Sequence, residues 1–348
     1  MTLADLVLAI MFLGVTAYAL LGGADFGAGV WDLFAGNPEK GKRVRALIAH
    51  TIGPVWEANH VWLIFVLVVI WTCFPIAFGS MMSTLYIPMT FAAIGIMARG
   101  AGFAFRKAST TMESQRIFGA TFAAASLLTP FFLGAFVGGV ASGRVPAGDA
   151  AGNVISSWLN PSGMLGGTLA VLVCVYLAAV YLCLDAQRSQ QNDLAEQFRI
   201  RALLTGVVTG AVAFAGILVL RADSRNLFDG LTERALPLMI LSGVSGFLSL
   251  VLLWRRAYRT VRITAALAVA AVLWGWATAQ YPFILEGTLR ISQATGDRDT
   301  LNAVIASLAI GSCVLIPALV YLAVIVHRGE LENADDFDLA EYDAPVPH

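Results

Sequence analysis

The chain has 348 residues, of which 58% are apolar and only 13% are charged, and its formal net charge is −1. Soluble domains carry about 25% charged residues, so this composition excludes an ordinary soluble globular protein. The apolar residues form continuous runs, whereas the strands of a membrane β-barrel alternate apolar and polar residues. The sequence therefore predicts an all-α polytopic membrane protein.

Nine apolar segments are each long enough to cross about 30 Å of hydrocarbon as a helix. They lie at residues 3–34, 47–71, 75–98, 117–141, 164–186, 201–220, 236–254, 262–282 and 301–327. We expect residues 1–328 to form one transmembrane helical domain. Residues 329–348 hold seven of the 23 acids and have no apolar period, which predicts an acidic, disordered tail.

The basic residues predict an orientation for these spans. Sixteen of the 22 Lys and Arg residues fall in the odd-numbered connections and the C-terminal end. Cytoplasmic loops of membrane proteins carry an excess of Lys and Arg. The odd connections and the acidic tail are therefore predicted to be cytoplasmic, with the N-terminus outside, in a bacterial cell membrane.

Two acids lie deep within the predicted spans, whereas every other acid falls in a loop, at a span end or in the tail. Asp25 is in the first span, in LLGGADFGAGV, and Glu57 is in the second, in IGPVWEANHVWLIF. A charged side chain at a helix centre costs roughly 2.5–3.5 kcal/mol on insertion scales, so it requires a partner, a hydrated cavity or a function. If the second span starts at residue 47, Glu57 is about 15 Å deep and near the midplane, with Asp25 closer to the cytoplasm.

The second span carries a polar stripe. Glu57 and His60 are three residues apart and share one helix face. His50 and Pro54 continue that face. Asn59 lies between Glu57 and His60 in the sequence. Pro54 cannot donate a backbone hydrogen bond, which leaves a carbonyl free for water or a side chain. A proton path through Asp25 and Glu57, supported by the neighbouring polar residues, is one hypothesis. A structural lock between helices is the other.

A haem bound between two histidines of this chain is not expected. His50 and His60 lie ten residues apart on one predicted helix, so they cannot ligate opposite sides of one iron. Ligation by one histidine stays open at this point. The four cysteines form no CxxC pair, and no metal site is predicted.

Other polar and aromatic residues are weaker candidates. Arg99 closes the predicted third span, where a cytoplasmic anchor is favoured over a pair with a carboxylate or an anionic lipid. Trp56 and Arg99 are possible cofactor contacts. Gln280 and Glu286, near the outer ends of the helices, could contact a partner or a quinone head group.

Four sequence blocks resemble subunit II of the cytochrome bd-type quinol oxidases, including cyanide-insensitive relatives. They are GGADFGAGVWDL around Asp25, IGPVWEANHVWLI around Glu57, the stretch from STLYIPM to RGAGFAFR, and WGWATAQYP. The resemblance extends nearly from end to end. Two blocks differ from the family pattern: Gly22-Gly23-Ala24-Asp25 stands where DGFD is common, and Trp56-Glu57-Ala58-Asn59 stands where WDGN is common.

The resemblance implies two four-helix bundles with one peripheral helix. It implies a heterodimer with a subunit I that carries haem b and haem d-type groups and the quinol site, so this chain would hold no haem of its own. A small single-span accessory subunit, membrane lipids and quinone are further expected partners, and nucleic acid is not. The complex would oxidise quinol and reduce dioxygen to water in an aerobic respiratory chain, with protons from the cytoplasm.

Two alternatives from other functional classes stay open. Buried acids and kinked helices also occur in proton-coupled secondary transporters, although no matching pair of broken helices is evident in the two halves. A purely structural or assembly subunit is the second alternative. A haem-bearing partner that co-purifies with the chain would distinguish an oxidase subunit from a transporter.

Overall fold

The computed structural model describes residues 2–36, 38–52, 56–109 and 111–328, and helices make up most of them. The elements are α1 (Leu3–Ala17), a π-helical turn (Tyr18–Gly22), α2 (Gly23–Leu33), α3 (Pro38–Ile52), α4 (Trp56–Cys73), α5 (Pro75–Thr84), α6 (Tyr86–Ala108), α7 (Met112–Ala141), α8 (Pro161–Arg188), α9 (Asn192–Asp223), α10 (Arg225–Glu233), α11 (Leu236–Trp254), α12 (Tyr258–Gln280), β1 (Phe283–Leu285), β2 (Leu289–Arg290), α13 (Ile291–Ala294) and α14 (Arg298–Arg328). The predicted all-α class is confirmed. The antiparallel hairpin β1–β2 is a small addition to it.

Within the described ranges, eight helices are long and apolar enough to cross a membrane. The first of them, Leu3–Leu33, comprises α1, the π-helical turn and α2. A ninth span is present if α4 and α5, which meet at an angle of 118°, are taken as one broken span. The acidic tail at 329–348 lies outside the described residues.

The third predicted span, 75–98, has the wrong boundaries. Helix α5 begins at Pro75 and the longer α6 begins at Tyr86, eleven residues after the predicted start. Pro75 occupies the first turn of α5, where its missing N–H group is tolerated. The apolar run continues through the break between α5 and α6, and hydropathy alone therefore could not locate it. In the second predicted span, 47–71, α3 is described up to Ile52 and α4 from Trp56, and residues 53–55 lie outside the described residues.

The helix ends of residues 2–297 define two faces. The N-terminal face contains residues 73–85, 142–160, 223–235 and 281–297. The opposite face contains residues 34–36, 38–45, 109, 111, 189–191 and 255–257. On the N-terminal face, Arg144 pairs with Asp223 at 2.6 Å. On the opposite face, Arg43 pairs with Asp193 at 2.5 Å. Ion pairs therefore join connections at both ends of the spans.

Helix α8 is the central element of the packing. Helices α2 and α7 pack on it from the first half of the chain, and α9 and α12 pack on it from the second half. Gly27 allows the close approach of α2, because a Cβ atom there would lie 1.9 Å from the backbone oxygen of Cys174. The helix that carries Asp25 is therefore held firmly against the core.

Helix α14 belongs to a separate compact unit that begins at Arg298. It is 31 residues long and contains Pro317. Its apolar window contains few buried residues, and it is long enough to span a membrane.

Candidate functional site

A wide helical turn precedes the first buried acid. The π-helical turn Tyr18–Gly22 interrupts the first span between α1 and α2, and Asp25 is the third residue of α2. Only 8% of Asp25 is exposed. Turns of this kind occur frequently at functional sites. The predicted burial of Asp25 inside the first span is thus confirmed.

Asn59 is the direct hydrogen-bond partner of Asp25. Helix α4 packs along α1 and the π-helical turn, which brings the buried Asn59 side chain to α2. Asn59 Nδ2 donates to Asp25 Oδ2 at 2.6 Å. An amide donor to a buried carboxyl satisfies a group that would otherwise be costly to leave unpaired.

Arg99 lies inside the membrane region, and the prediction of a cytoplasmic anchor is wrong. Helix α6 extends from Tyr86 to Ala108, so Arg99 is in mid-helix, and it is 1% exposed. Its Nη2 atom donates to the backbone oxygen of Asp25 at 3.0 Å, and its Nε atom donates to Ser126 Oγ at 3.1 Å. The predicted third span began eleven residues before α6, which placed Arg99 at its end.

Aromatic rings enclose the Arg99 guanidinium. Its Cζ atom lies 4.9 Å from the ring centroid of Phe26 and 5.1 Å from that of Phe122. Cation–π contacts of this kind stabilise a desolvated cation by about 2 kcal/mol. We name Asp25, Asn59, Arg99 and Ser126 the Asp25 cluster; it joins α2, α4, α6 and α7.

Glu57 is not buried in this chain. It lies in the first turn of α4, because that helix begins at Trp56, and its side chain is exposed. The predicted depth near the midplane assumed one continuous helix from residue 47, and it stays a prediction because residues 53–55 lie outside the described residues. His50 is exposed in the last turn of α3. Pro54 and the side chain of Trp56 lie outside the described residues.

His60 follows Asn59 on α4 and faces aromatic side chains. Its ring centroid lies 6.0 Å from that of Tyr18 and 5.9 Å from that of Phe26. The His60 imidazole is therefore flanked by two aromatic rings. Among the described residues, no three His, Cys, Asp or Glu side chains are grouped as metal ligands.

A second buried acid on α2 was missed by the sequence analysis. Asp32 is 5% exposed. Arg45 Nε lies 3.0 Å from its Oδ1 atom, and Arg106 Nη1 lies 2.6 Å from its Oδ2 atom. We name these three residues the Asp32 cluster. One feature of the sequence could have revealed this cluster: Asp32 lies at the end of the first span, and basic residues follow at the start of the next helix.

Gln280 and Glu286 lie on the N-terminal face. Trp276 Nε1 donates to Gln280 Oε1 at 2.7 Å, and Gln280 Nε2 donates to the backbone oxygen of Ile284 at 2.9 Å, so this amide fastens the hairpin to α12. Glu286 borders a cavity of about 290 Å³ together with Asn226. Burial raises the pKa of Glu286, and Arg234 partly opposes that rise.

The sequence matches the family described as "Cytochrome bd terminal oxidase subunit II" over residues 3–326. A Bacillus subtilis (strain 168) protein, "Cytochrome bd ubiquinol oxidase subunit 2", is 30% identical over 240 residues, which are 68% of this chain and 67% of that protein. The Escherichia coli (strain K12) "Cytochrome bd-I ubiquinol oxidase subunit 2" is 25% identical over 58% of this chain and 53% of its own length.

The fold is similar to that of a solved structure. A chain from "The structure of bd oxidase from Geobacillus thermodenitrificans" superposes with a TM-score of 0.74 at 23% identity. The superposition covers 94% of this chain and 99% of that one. The similarity therefore includes the whole helical arrangement.

Proposed function

Because the chain belongs to the subunit II family of cytochrome bd terminal oxidases, we propose that it is the haem-free companion of a haem-bearing subunit I. The name of the family implies such a complex. In it, subunit I holds the haems and the quinol site, and the complex oxidises quinol and reduces dioxygen to water. Family membership favours an oxidase over the transporter alternative.

We further propose that Asp25 transfers protons on their way from the cytoplasm to subunit I. The observation that carries this proposal is the buried hydrogen bond from Asn59 Nδ2 to Asp25 Oδ2. An ionisable group inside a membrane segment is by default a candidate for proton transfer, because its cost requires a function or a partner. An amide can remain bonded to a carboxyl in either protonation state, since it offers both a donor and an acceptor.

Glu57 is proposed as the residue by which protons approach Asp25. It lies two residues before Asn59 on α4, and its side chain is exposed on this chain. His60, one residue beyond Asn59, and His50, at the end of α3, support the path in this proposal. In this proposal the opposite face is the cytoplasmic one, as the distribution of basic residues predicts.

A structural lock is the second candidate role of the Asp25 cluster. Arg99 donates to a backbone oxygen and to a hydroxyl group, neither of which changes its charge. These bonds join α6 to α2 and α7. A lock would explain why the arginine is buried without any transfer of protons.

Two variants distinguish the roles. Asn59→Leu removes the donor to Asp25, whereas Ser126→Ala removes an acceptor of Arg99 and leaves Asp25 untouched. For proton transfer, Asn59→Leu should reduce oxygen consumption per haem about 10-fold, with a changed pH profile, and Ser126→Ala should have little effect. The measurement is quinol oxidation by the complex purified through a tag on this chain.

The same preparations test the wider proposal. The tagged chain should bring down a haem-bearing partner with a visible spectrum, in wild type and in both variants. Purification without haem would contradict the role as an oxidase subunit. Wild-type turnover in Asn59→Leu would contradict the proposed proton transfer at Asp25 but would leave the role as an oxidase subunit intact. An equal loss of assembled complex in both variants would establish the structural lock.

A further inference from the structure

A basic cavity lies on the opposite face, at the end of one central helix and the start of another. Its volume is about 480 Å³. The side chains and backbone around it come from the end of α8 and the start of α12. They are Leu184, Gln187, Arg188, Arg256, Ala257, Tyr258, Arg259 and Thr260. The cavity thus opens at the end of two membrane spans, and an apolar leucine contributes to its wall.

The carboxylates beside the cavity are each shared by two arginines. Glu196 lies 2.5 Å from Arg199 and 3.3 Å from Arg256, between the carboxylate and guanidinium atoms. Asp185 lies 3.9 Å from Arg188 and 3.3 Å from Arg262. Two negative charges therefore face four positive charges in these ion pairs.

Three arginines, Arg188, Arg256 and Arg259, border the cavity itself. Arg259 is exposed, and among the described residues it has no ion pair. The Arg256 side chain is 66% exposed, so its guanidinium also remains accessible from the cavity. Together with Arg199 and Arg262, these groups carry five positive charges against the two negative charges of Glu196 and Asp185, and the excess favours an anion in the cavity.

The backbone at the cavity carries a partial positive charge, like the arginine side chains. Helix α12 begins at Tyr258, and its N-cap residue, Ala257, provides no side-chain acceptor for the first N–H groups. The N-terminus of a 23-residue helix carries a partial positive charge. This contribution adds to that of the arginines, which are the main feature of the site.

We propose that this cavity binds a phosphate-bearing anion. A phosphate group accepts paired hydrogen bonds from guanidinium groups, and Arg256 and Arg259 are close in sequence on one wall. The position at the end of two membrane spans favours an anionic phospholipid, whose phosphate would contact the arginines. Free inorganic phosphate is the other source of the same chemistry.

The test uses the complete purified complex and short-chain phosphatidylglycerol, with short-chain phosphatidylcholine and inorganic phosphate as comparison ligands. Bound molecules are counted by native mass spectrometry over a titration. Each arginine near a lipid headgroup should contribute about fivefold to affinity, so the double variant Arg256→Gln/Arg259→Gln should bind phosphatidylglycerol about 25-fold more weakly. The charge-preserving double variant Arg256→Lys/Arg259→Lys should retain most of the binding.

Arg116→Gln is the matched control, because Arg116 is exposed near the start of α7 on the same face and does not border this cavity. It should bind phosphatidylglycerol like wild type. Competition by inorganic phosphate would identify the phosphate group itself as the ligand, and preference for phosphatidylglycerol without such competition would identify the lipid. Undiminished binding in the glutamine double variant, or an equal loss in Arg116→Gln, would overturn the proposal.

Discussion

Two buried acids on one short helix differ in what surrounds them. Asp25 and Asp32 are seven residues apart on α2, which is two helical turns and about 10 Å, and both lie on the face that packs into the protein. Their exposures are similar, at 8% and 5%. Burial alone therefore does not distinguish them.

Their partners do distinguish them. Asp32 is bound directly by two arginine side chains, Arg45 and Arg106, whereas Asp25 accepts from the neutral amide of Asn59. Arg99, the cation nearest to Asp25, is hydrogen-bonded to its backbone oxygen instead. Two direct guanidinium partners fix a negative charge, while one amide partner permits a proton to bind and leave. The comparison assigns a structural role to Asp32 and a transfer role to Asp25.

The largest expected effect is that of Asp25→Asn on turnover. Asparagine keeps the size of the side chain and can still bond to Asn59, but it cannot carry a proton. Oxygen consumption per haem should fall about 100-fold, as expected for loss of a group that transfers protons. Haem content should stay near that of wild type. Normal turnover in this variant would remove the distinction between the two acids.

Asp32→Asn should show the reverse pattern. It leaves Arg45 and Arg106 facing each other without a carboxylate, which should cost about 2 kcal/mol of stability because both guanidiniums remain partly solvated. Thermal unfolding of the purified complex measures this loss. Turnover per haem in the folded complex should change by less than about twofold. A turnover defect as large as that of Asp25→Asn would show that both acids transfer protons.

Glu57→Gln tests whether protons reach Asp25 from the start of α4. Because Glu57 is exposed on this chain, water can partly replace it, and we expect turnover per haem to fall about 10-fold, less than for Asp25→Asn. Glu57→Asp, which keeps the carboxyl group, is the matched control and should retain substantial activity. Equal turnover in the glutamine variant and the wild type would place the entry of protons elsewhere.

The smallest effect concerns Glu286, a buried acid on the N-terminal face with Arg234 nearby. Burial raises its pKa in the folded protein, so the folded state binds this proton more tightly than the unfolded state does. Its contribution to stability is full below the unfolded pKa, about 4.3, and is lost as pH rises through the folded pKa.

Glu286→Gln removes this dependence. The Tm of the variant, relative to that of the wild type, should therefore increase between about pH 4 and about pH 8. Thermal unfolding followed by tryptophan fluorescence at a series of pH values provides the measurement. A difference in Tm that is constant with pH would show that Glu286 does not titrate differently on folding.

Much of the fold followed from simple properties of the sequence. Apolar runs located the spans, and the high cost of an acid in a membrane identified Asp25 without any structure. The breaks between α4, α5 and α6 could not be located, because hydropathy stays high across them while the helix direction changes by 118° between α4 and α5. Arg99 was expected at the end of a span for this reason.

The partners of the two acids were also beyond sequence reasoning. Arg99 is 74 residues from Asp25 along the chain, and Arg106 is equally far from Asp32. Such pairs depend on how α6 packs on α7 and α2. Spacing within one helix gives no information about that packing.

The π-helical turn Tyr18–Gly22 sets the rotational phase of everything that follows it in the first span. A turn of this type holds about one residue more than an α-helical turn, which rotates the following side chains by about 100° relative to an unbroken helix. Helix α1 can therefore keep its own packing on α4 while α2 directs Asp25 and Asp32 inward. A regular α-helical conformation of the same residues would turn both acids away from their partners together. Deleting a single residue from Ala19–Leu21 would instead restore a regular helix with both acids still directed inward, because the wide turn accommodates that one additional residue.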